Sequence, residues 1–305
     1  MTIYFVLFFS VLPFPVEKMR GVNYYPAKNP WEKMWLEWDA VVIEKDLKLV
    51  KELNLNLVET YIHYPFFFSE EEDEIKIDLI QRLDEFLSIA NQYHLKVIYT
   101  LFDFTYNHSL RKWPFHKKYL TEIVKRFRDD ERIYLWGIRN EINFIKEPID
   151  TLIQWAESVA TLIRRYDTLH PLEVELGGRD LNTLKNAAQF IERLKERVDI
   201  FALSFFGEPE SLPTILFWLR EKTGKPVVVS EFGYPTSWAK GEEGQKNYFK
   251  RMLKVLKKNQ TGFRFWTLCE FAKENLSPEE KTLGIIRLGR QPKKTYSLLK
   301  KISWD

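Results

Sequence analysis

The chain has 305 residues, 45% hydrophobic and 15% aromatic, with 46 basic and 43 acidic side chains and a formal net charge of +3. That size supports a large buried core, and single-domain α/β barrels commonly run to about 250 residues or more. The two signs of charge are interleaved, so composition offers no surface to nucleic acid or another polyanion.

The first stretch, Met1–Leu12, is an apolar run similar to a signal-peptide core. It has no basic n-region and no Ala-x-Ala site, and it is too short to span a bilayer. An export leader, a segment covering the barrel floor, and an upstream extension of a chain that starts at Met19 all stay open. Residues 1–18 are therefore set apart from a body at 19–305. Cys269 is the single cysteine, so no intrachain disulfide forms. A cytoplasmic location is favoured, with secretion the alternative if the apolar run is a signal; oligomeric state is left open.

From Met19 onward, short β-branched or aromatic runs alternate with helical patterns. The expected strands are Arg20–Tyr24, Leu55–Ile62, Leu95–Phe102, Ile133–Asn140, Leu172–Leu176, Ile200–Phe205, Pro226–Glu231 and Gly262–Leu268. Between the first two, Val42, Leu47, Val50 and Leu53 fall near helical spacing. Leu79, Leu83, Phe86, Leu87 and Ile89 mark a second helix. Leu152, Ile153, Ala156, Val159, Ala160 and Ile163 mark another, with Asp150 as its N-cap candidate. Tyr248, Met252, Leu253 and Leu256 mark a seventh crossover. Strand–helix alternation without a Gly/Ser-rich linker predicts an α/β fold, a single (β/α)8 TIM barrel. A doubly wound open sheet is the rival, but it carries a Gly-rich first βα turn, and Gly21 stands alone.

Barrels of this kind place their sites at the C-terminal ends of the strands. Here those ends hold Asn23, Tyr24, His63, Asp103, Asn140, Glu141, Ser204, Glu231 and Trp266. Two carboxylic acids, Glu141 and Glu231, thus end strands four and seven. Ile138-Arg139-Asn140-Glu141, Ser230-Glu231-Phe232-Gly233 and Phe265-Trp266-Thr267, with the opening Arg20–Pro26, resemble glycoside hydrolase clan A, closest to its family five. The resemblance implies a retaining hydrolase of β-linked glucan or mannan, acting on an oligosaccharide or polysaccharide without a cofactor. It implies Glu141 as acid/base, Glu231 as nucleophile, Asn140 on the sugar 2-hydroxyl and Trp266 under the central sugar. Two glutamates suit this chemistry because one protonates the leaving oxygen while the other attacks the anomeric carbon.

The chain departs from the clan in two places. Glu59 stands where the clan carries an Arg late in strand two. Ser204-Phe205-Phe206 replaces the strand-six segment whose Tyr hydrogen-bonds the nucleophile, so that tyrosine is expected to be missing. These losses keep a carbohydrate-binding pseudoenzyme open beside the hydrolase, as well as a transglycosylase.

Loop tryptophans such as Trp238 suit a glycan cleft, because sugar rings stack on aromatic faces. Trp31, Trp35 and Trp38 fit that use or a packed lid equally. Asn23, His63 and Asp103 are candidate sugar ligands, with a structural role open for His63 and an Asx turn for Asp103. His94, His116 and His170 are expected at the surface, and Cys269 in the core. No His-Glu-x-x-His or paired cysteines occur, so no metal site is expected.

Overall fold

Val227–Val229 and Val97–Leu101 are nearly continuous apolar runs, as strands covered on both faces require. In the computed structural model, which describes residues 14–302, both are barrel staves. The strands are β1 (Arg20–Asn23), β2 (Leu57–His63), β3 (Lys96–Asp103), β4 (Ile133–Gly137), β5 (Leu172–Gly177), β6 (Ile200–Ser204), β7 (Val227–Glu231) and β8 (Phe263–Phe265). All are parallel, and β1 pairs with β8 to close the ring. The expected fold is the observed one: a single (β/α)8 TIM barrel. The expected fourth and eighth strands ran too far, because Ile138–Asn140 and Trp266–Leu268 leave the ladder to form mouth loops.

The crossover helices are α1 (Ala40–Glu52), α2 (Ile77–Gln92), α3 (Trp113–Phe127), α4 (Ile149–Tyr166), α5 (Ala188–Leu194), α6 (Leu212–Thr223), α7 (Gly241–Lys258) and α8 (Lys294–Leu299). Asp39 caps α1 by accepting from Val42 N. Asp150 is not the cap of α4; the helix starts one residue earlier behind Pro148, and Asp150 lies in its first turn, where a negative charge suits the dipole. A two-stranded hairpin, Phe68–Ser69 with Glu74–Ile75, follows β2. Among the described residues no helix is long and apolar enough to cross a membrane.

The apolar run Met1–Leu12 lies outside the described residues. Its continuation closes the N-terminal end of the barrel: Phe14 stacks on Tyr134 at 4.5 Å, and Val16 and Met19 pack with Leu57, Ile98, Ile200, Ala202 and Val228. This apolar floor sits opposite the strand ends that carry Glu231. Barrel interiors are commonly filled by branched apolar layers. Above this floor the interior instead becomes polar, with Glu59, Thr100, Glu173, Glu175 and Arg264 all buried.

Candidate active site

Glu231 is the last residue of β7 and is 6% exposed. Glu141 follows β4 in a left-handed conformation, φ 44° and ψ 49°, which costs a non-glycine residue on the order of 1–3 kcal/mol. Local bonds hold it there. Asn143 donates from Nδ2 to Gly177 O at 2.9 Å and accepts from Gly177 N at 2.8 Å, pinning the loop to β5. Gly177 is needed at that contact: a Cβ on it would lie 2.9 Å from Glu141 Oε1 and would collide with the Phe144 ring.

The two glutamates line one cavity of about 460 Å³, together with Asn140, Asp103, Ser204 and the rings of Trp31, Tyr61 and Trp266. Tyr61 donates to Glu231 Oε1 at 2.9 Å. Ser204 donates to Glu231 Oε2 at 3.4 Å and also lies within hydrogen-bonding reach of Glu141. Its one proton serves a single carboxylate at a time, so the hydroxyl couples the pair. Burial raises the pKa of both acids. On Glu231, burial is reinforced by the facing Glu141 and opposed by the Tyr61 bond. On Glu141, burial and the charge of Asp103 act against Ser204, Arg139 and Arg179.

Beneath this pair Glu59, which stands where the clan carries an arginine, meets an arginine from β8, on the other side of β1. Arg264 on β8, fully buried, reaches Glu59 at 2.5 Å and Glu173 at 2.6 and 3.1 Å, with Glu175 at 3.9 Å. Glu59 also accepts from Thr100 at 2.6 Å. Oxygens of Glu59, Glu173 and Glu175 converge as metal ligands would, but the guanidinium already pairs with two of them and supplies the cation. One guanidinium cannot balance three buried carboxylates, so protons must be retained. Burial, partly offset by Arg264, pushes Glu59 up to about 7. Burial and the nearby Glu231 push Glu175 well above the ordinary carboxylate value.

Among the residues singled out from the sequence, Asn140, Glu141, Asp103, Glu231 and Trp266 meet in the cavity. Asn140 Oδ1 is buried without a hydrogen-bond partner in the described structure. Asp103 is held by Arg139 Nη1 at 2.8 Å. Three candidates do not line the cavity. Asn23 is fully buried and donates to Ser230 O at 2.8 Å, tying β1 to β7. His63 is 1% exposed behind the wall, 2.7 Å from the Tyr25 hydroxyl. Burial, with Lys273 and Arg139 nearby, pushes its pKa down to about 3, so it is neutral. Trp238 is 49% exposed and meets Tyr234 edge-on at 4.8 Å, outside the cavity.

Trp31 faces the cavity, whereas Trp35 and Trp38 stack on each other as packing, with Trp35 Nε1 bonded to Tyr61 O at 2.8 Å. His116 and His170 are buried rather than at the surface, because polar partners satisfy their rings: Trp155 Nε1 donates to His116, and His170 bonds Asp167. His94 is exposed and Cys269 buried, as expected.

Strand six ends in Ser204-Phe205-Phe206 without a tyrosine, and the hydroxyl that reaches Glu231 comes instead from Tyr61 on β2. Tyr61, Arg264 and Arg179 were not singled out from the sequence. Tyr61 lies two residues after Glu59, which the comparison with the clan had already marked on β2, a period-two signal that could have found it.

No protein-family model and no curated protein sequence matches the chain. Among solved structures, an exo-β-1,4-mannosidase from Opitutaceae bacterium strain TAV5 superposes with a TM-score of 0.78 at 16% identity, over 92% of this chain and 58% of that one. The chain thus spans less than two thirds of the mannosidase. A GH5_18 protein from Streptomyces cattleya, in complex with Manβ1-4GlcNAc, matches with a TM-score of 0.76 at 15% identity, over 93% of this chain and 79% of that one. A β-glucuronidase from Dictyoglomus thermophilum matches with a TM-score of 0.71 at 19% identity, over 93% of this chain and 51% of that one. These likenesses establish a barrel fold shared with glycoside hydrolases.

Proposed function

We propose that this protein is a retaining β-glycoside hydrolase that cleaves a β-linked glucan or mannan by double displacement. One observation carries the reading: Glu141 and Glu231, from opposite parts of the ring, flank a single aromatic-lined cavity.

Glu141, protonated, donates to the glycosidic oxygen while the Glu231 carboxylate attacks the anomeric carbon. The leaving sugar departs with that proton, and a glycosyl ester remains on Glu231. Glu141, now a carboxylate, takes a proton from water, and the resulting attack on the anomeric carbon releases Glu231. We assign the charge to Glu231 because the Tyr61 hydroxyl donates to it at 2.9 Å, which favours its ionised form, even though burial and the facing Glu141 oppose it. The proton then belongs on Glu141, whose like charge would otherwise face Glu231. The unpartnered Asn140 Oδ1 suits a sugar hydroxyl, since a buried acceptor without a donor costs about 1–3 kcal/mol. Trp266 and Trp31 offer apolar faces to sugar rings.

Tyr61 supplies Glu231 with a hydroxyl donor that strand six does not, which favours an enzyme over a binding-only protein. The test is a panel of aryl β-glycosides and β-glycans, with proton NMR of the first-formed anomer. Release of the β-anomer supports the proposal. First-formed α-anomer replaces retention with inversion, and no turnover on any β-linkage removes the hydrolase reading.

A further inference from the structure

A second cavity, of about 450 Å³, opens beside the first. The loop after β3 is the wall between them: Asp103 and Phe104 line the catalytic cavity, and Thr105, Tyr106 and Asn107 line the second. Its other sides are the helix and hairpin after β2, with Tyr64 and Glu70, and the start of α3, with Lys112.

Three features make this more than a surface dent. Tyr106 is 76% exposed, an unusual state for a large ring on a short loop, and its ring stands 6.5 Å from that of Phe104. The aromatic lining therefore continues out of the catalytic cavity. Thr105 is 3% exposed and lines the cavity, yet its hydroxyl has no hydrogen-bond partner in the described structure. A buried hydroxyl left unsatisfied costs about 1–3 kcal/mol, which a ligand hydroxyl would recover. The charges lining the cavity balance: Glu70 and Glu71 face Lys76 and Lys112, and Lys112 already pairs with Glu70. A neutral ligand rich in hydroxyls, with an apolar face, fits that lining better than an anion.

We propose that the second cavity is a distal sugar subsite, holding a neutral hexose of the same β-linked chain whose scissile bond lies at Glu141 and Glu231. The chain would pass over Phe104, stack a ring on Tyr106 and bond the Thr105 hydroxyl. This rests on the glycoside hydrolase reading and deepens it, since it makes a longer glycan the preferred substrate.

The experiment compares wild type, Tyr106→Ala and Thr105→Val on para-nitrophenyl β-glucoside and β-mannoside and on β-1,4-linked cellohexaose and mannohexaose. For Tyr106→Ala, kcat/KM on the cleaved hexaose should fall about three- to tenfold through KM, with the aryl monoglycosides unchanged. Thr105→Val should show the same selectivity with a melting temperature no lower than that of wild type, since it removes an unsatisfied hydroxyl. Undiminished hexaose cleavage in both variants, or equal losses on both substrate classes, overturns the subsite. Failure of the hydrolase reading looks different: wild type then cleaves none of these substrates. Calorimetric titration of each hexaose into wild type and Tyr106→Ala decides the subsite in that case. Binding about threefold or more weaker in the variant upholds it, and equal or absent binding overturns it.

Discussion

The Tyr61 hydroxyl donates to Oε1 of Glu231 at 2.9 Å, across 170 positions of sequence. The bond stabilises the charged carboxylate and fixes its direction. Tyr61→Phe keeps the ring, which stacks on Tyr25 at 5.7 Å, and removes only the donor. A hydrogen bond to a charged group contributes about 1.5–3 kcal/mol, so kcat/KM should fall on the order of 10- to 100-fold. The Glu231 pKa should rise, moving the acidic limb of the activity profile to higher pH. An unmoved limb would show that Tyr61 does not tune Glu231.

Glu231→Gln should remove turnover on every substrate, because no ester forms. Glu141→Ala should cost about 10²–10⁴-fold on natural glycans and far less on aryl glycosides with good leaving groups, which need little protonation. Equal losses on both classes would remove Glu141 from the acid role. In Glu231→Gln the repelling charge is gone, so the Glu141 pKa should fall, yet stay raised because burial remains. Carbon-13 NMR titration of labelled glutamate reads this directly.

Gly177→Ala places a methyl against Glu141 and the Phe144 ring. Phe144 is 48% exposed and free to swing outward, so the fold should tolerate the change. Glu141 would be displaced, and misplacement of about 1 Å can cost on the order of 10²-fold in rate. Loss of kcat with a melting temperature within a few degrees of wild type is expected. Full activity would mean that the loop absorbs the methyl.

The Arg264 cluster makes stability depend on pH. The folded-state pKa of Glu59 is raised to about 7, so the native protein holds a proton that the unfolded chain, near the usual 4.5, has released. Stability from this group is therefore full below pH about 4.5 and is lost as pH rises through about 7. Thermal melts between pH 5 and 8 should show that decline, with a shallower slope in Glu59→Gln. Parallel slopes would place the titration elsewhere. Glu175, whose carboxyl is pushed well above its ordinary value by burial and by the nearby Glu231, should tolerate Glu175→Gln with both limbs of the activity profile in place.

Trp266 is half-buried at the end of β8 and lines the cavity floor with Tyr61, ring to ring at 6.2 Å. Trp266→Ala should lower kcat/KM by about two- to tenfold, since stacking on an aromatic face contributes about 0.5–1.5 kcal/mol beyond area burial. A lowered melting temperature with unchanged kcat/KM would make the ring purely structural.

Much of the barrel was legible because it is written in local periodicity. Short β-branched apolar runs such as Val227–Val229, set between helical patterns, fit buried parallel strands, and the i, i+3, i+4 spacing in Leu152–Ile163 fits a covering helix. Once the strand ends were known, the barrel rule brought Glu141, Glu231, Asn140, Asp103 and Trp266 to one mouth without any further information.

What local pattern cannot carry is which side chain reaches which across the ring. Tyr61 on Glu231 and Arg264 on Glu59 and Glu173 are contacts between distant segments, which no single strand read by itself reveals. Asn23 and His63 show the converse. A strand-end position marked them as ligands, but the barrel's closure put Asn23 against Ser230 and His63 behind its wall, near Tyr25. The sequence by itself determined the staves, the mouth and the pair of acids, because these follow from burial patterns along the chain. Only the tertiary structure decided which hydroxyl steadies Glu231 and which cation balances the buried acids, because close packing lets any stave supply a group whose side chain ends at the right depth of the barrel.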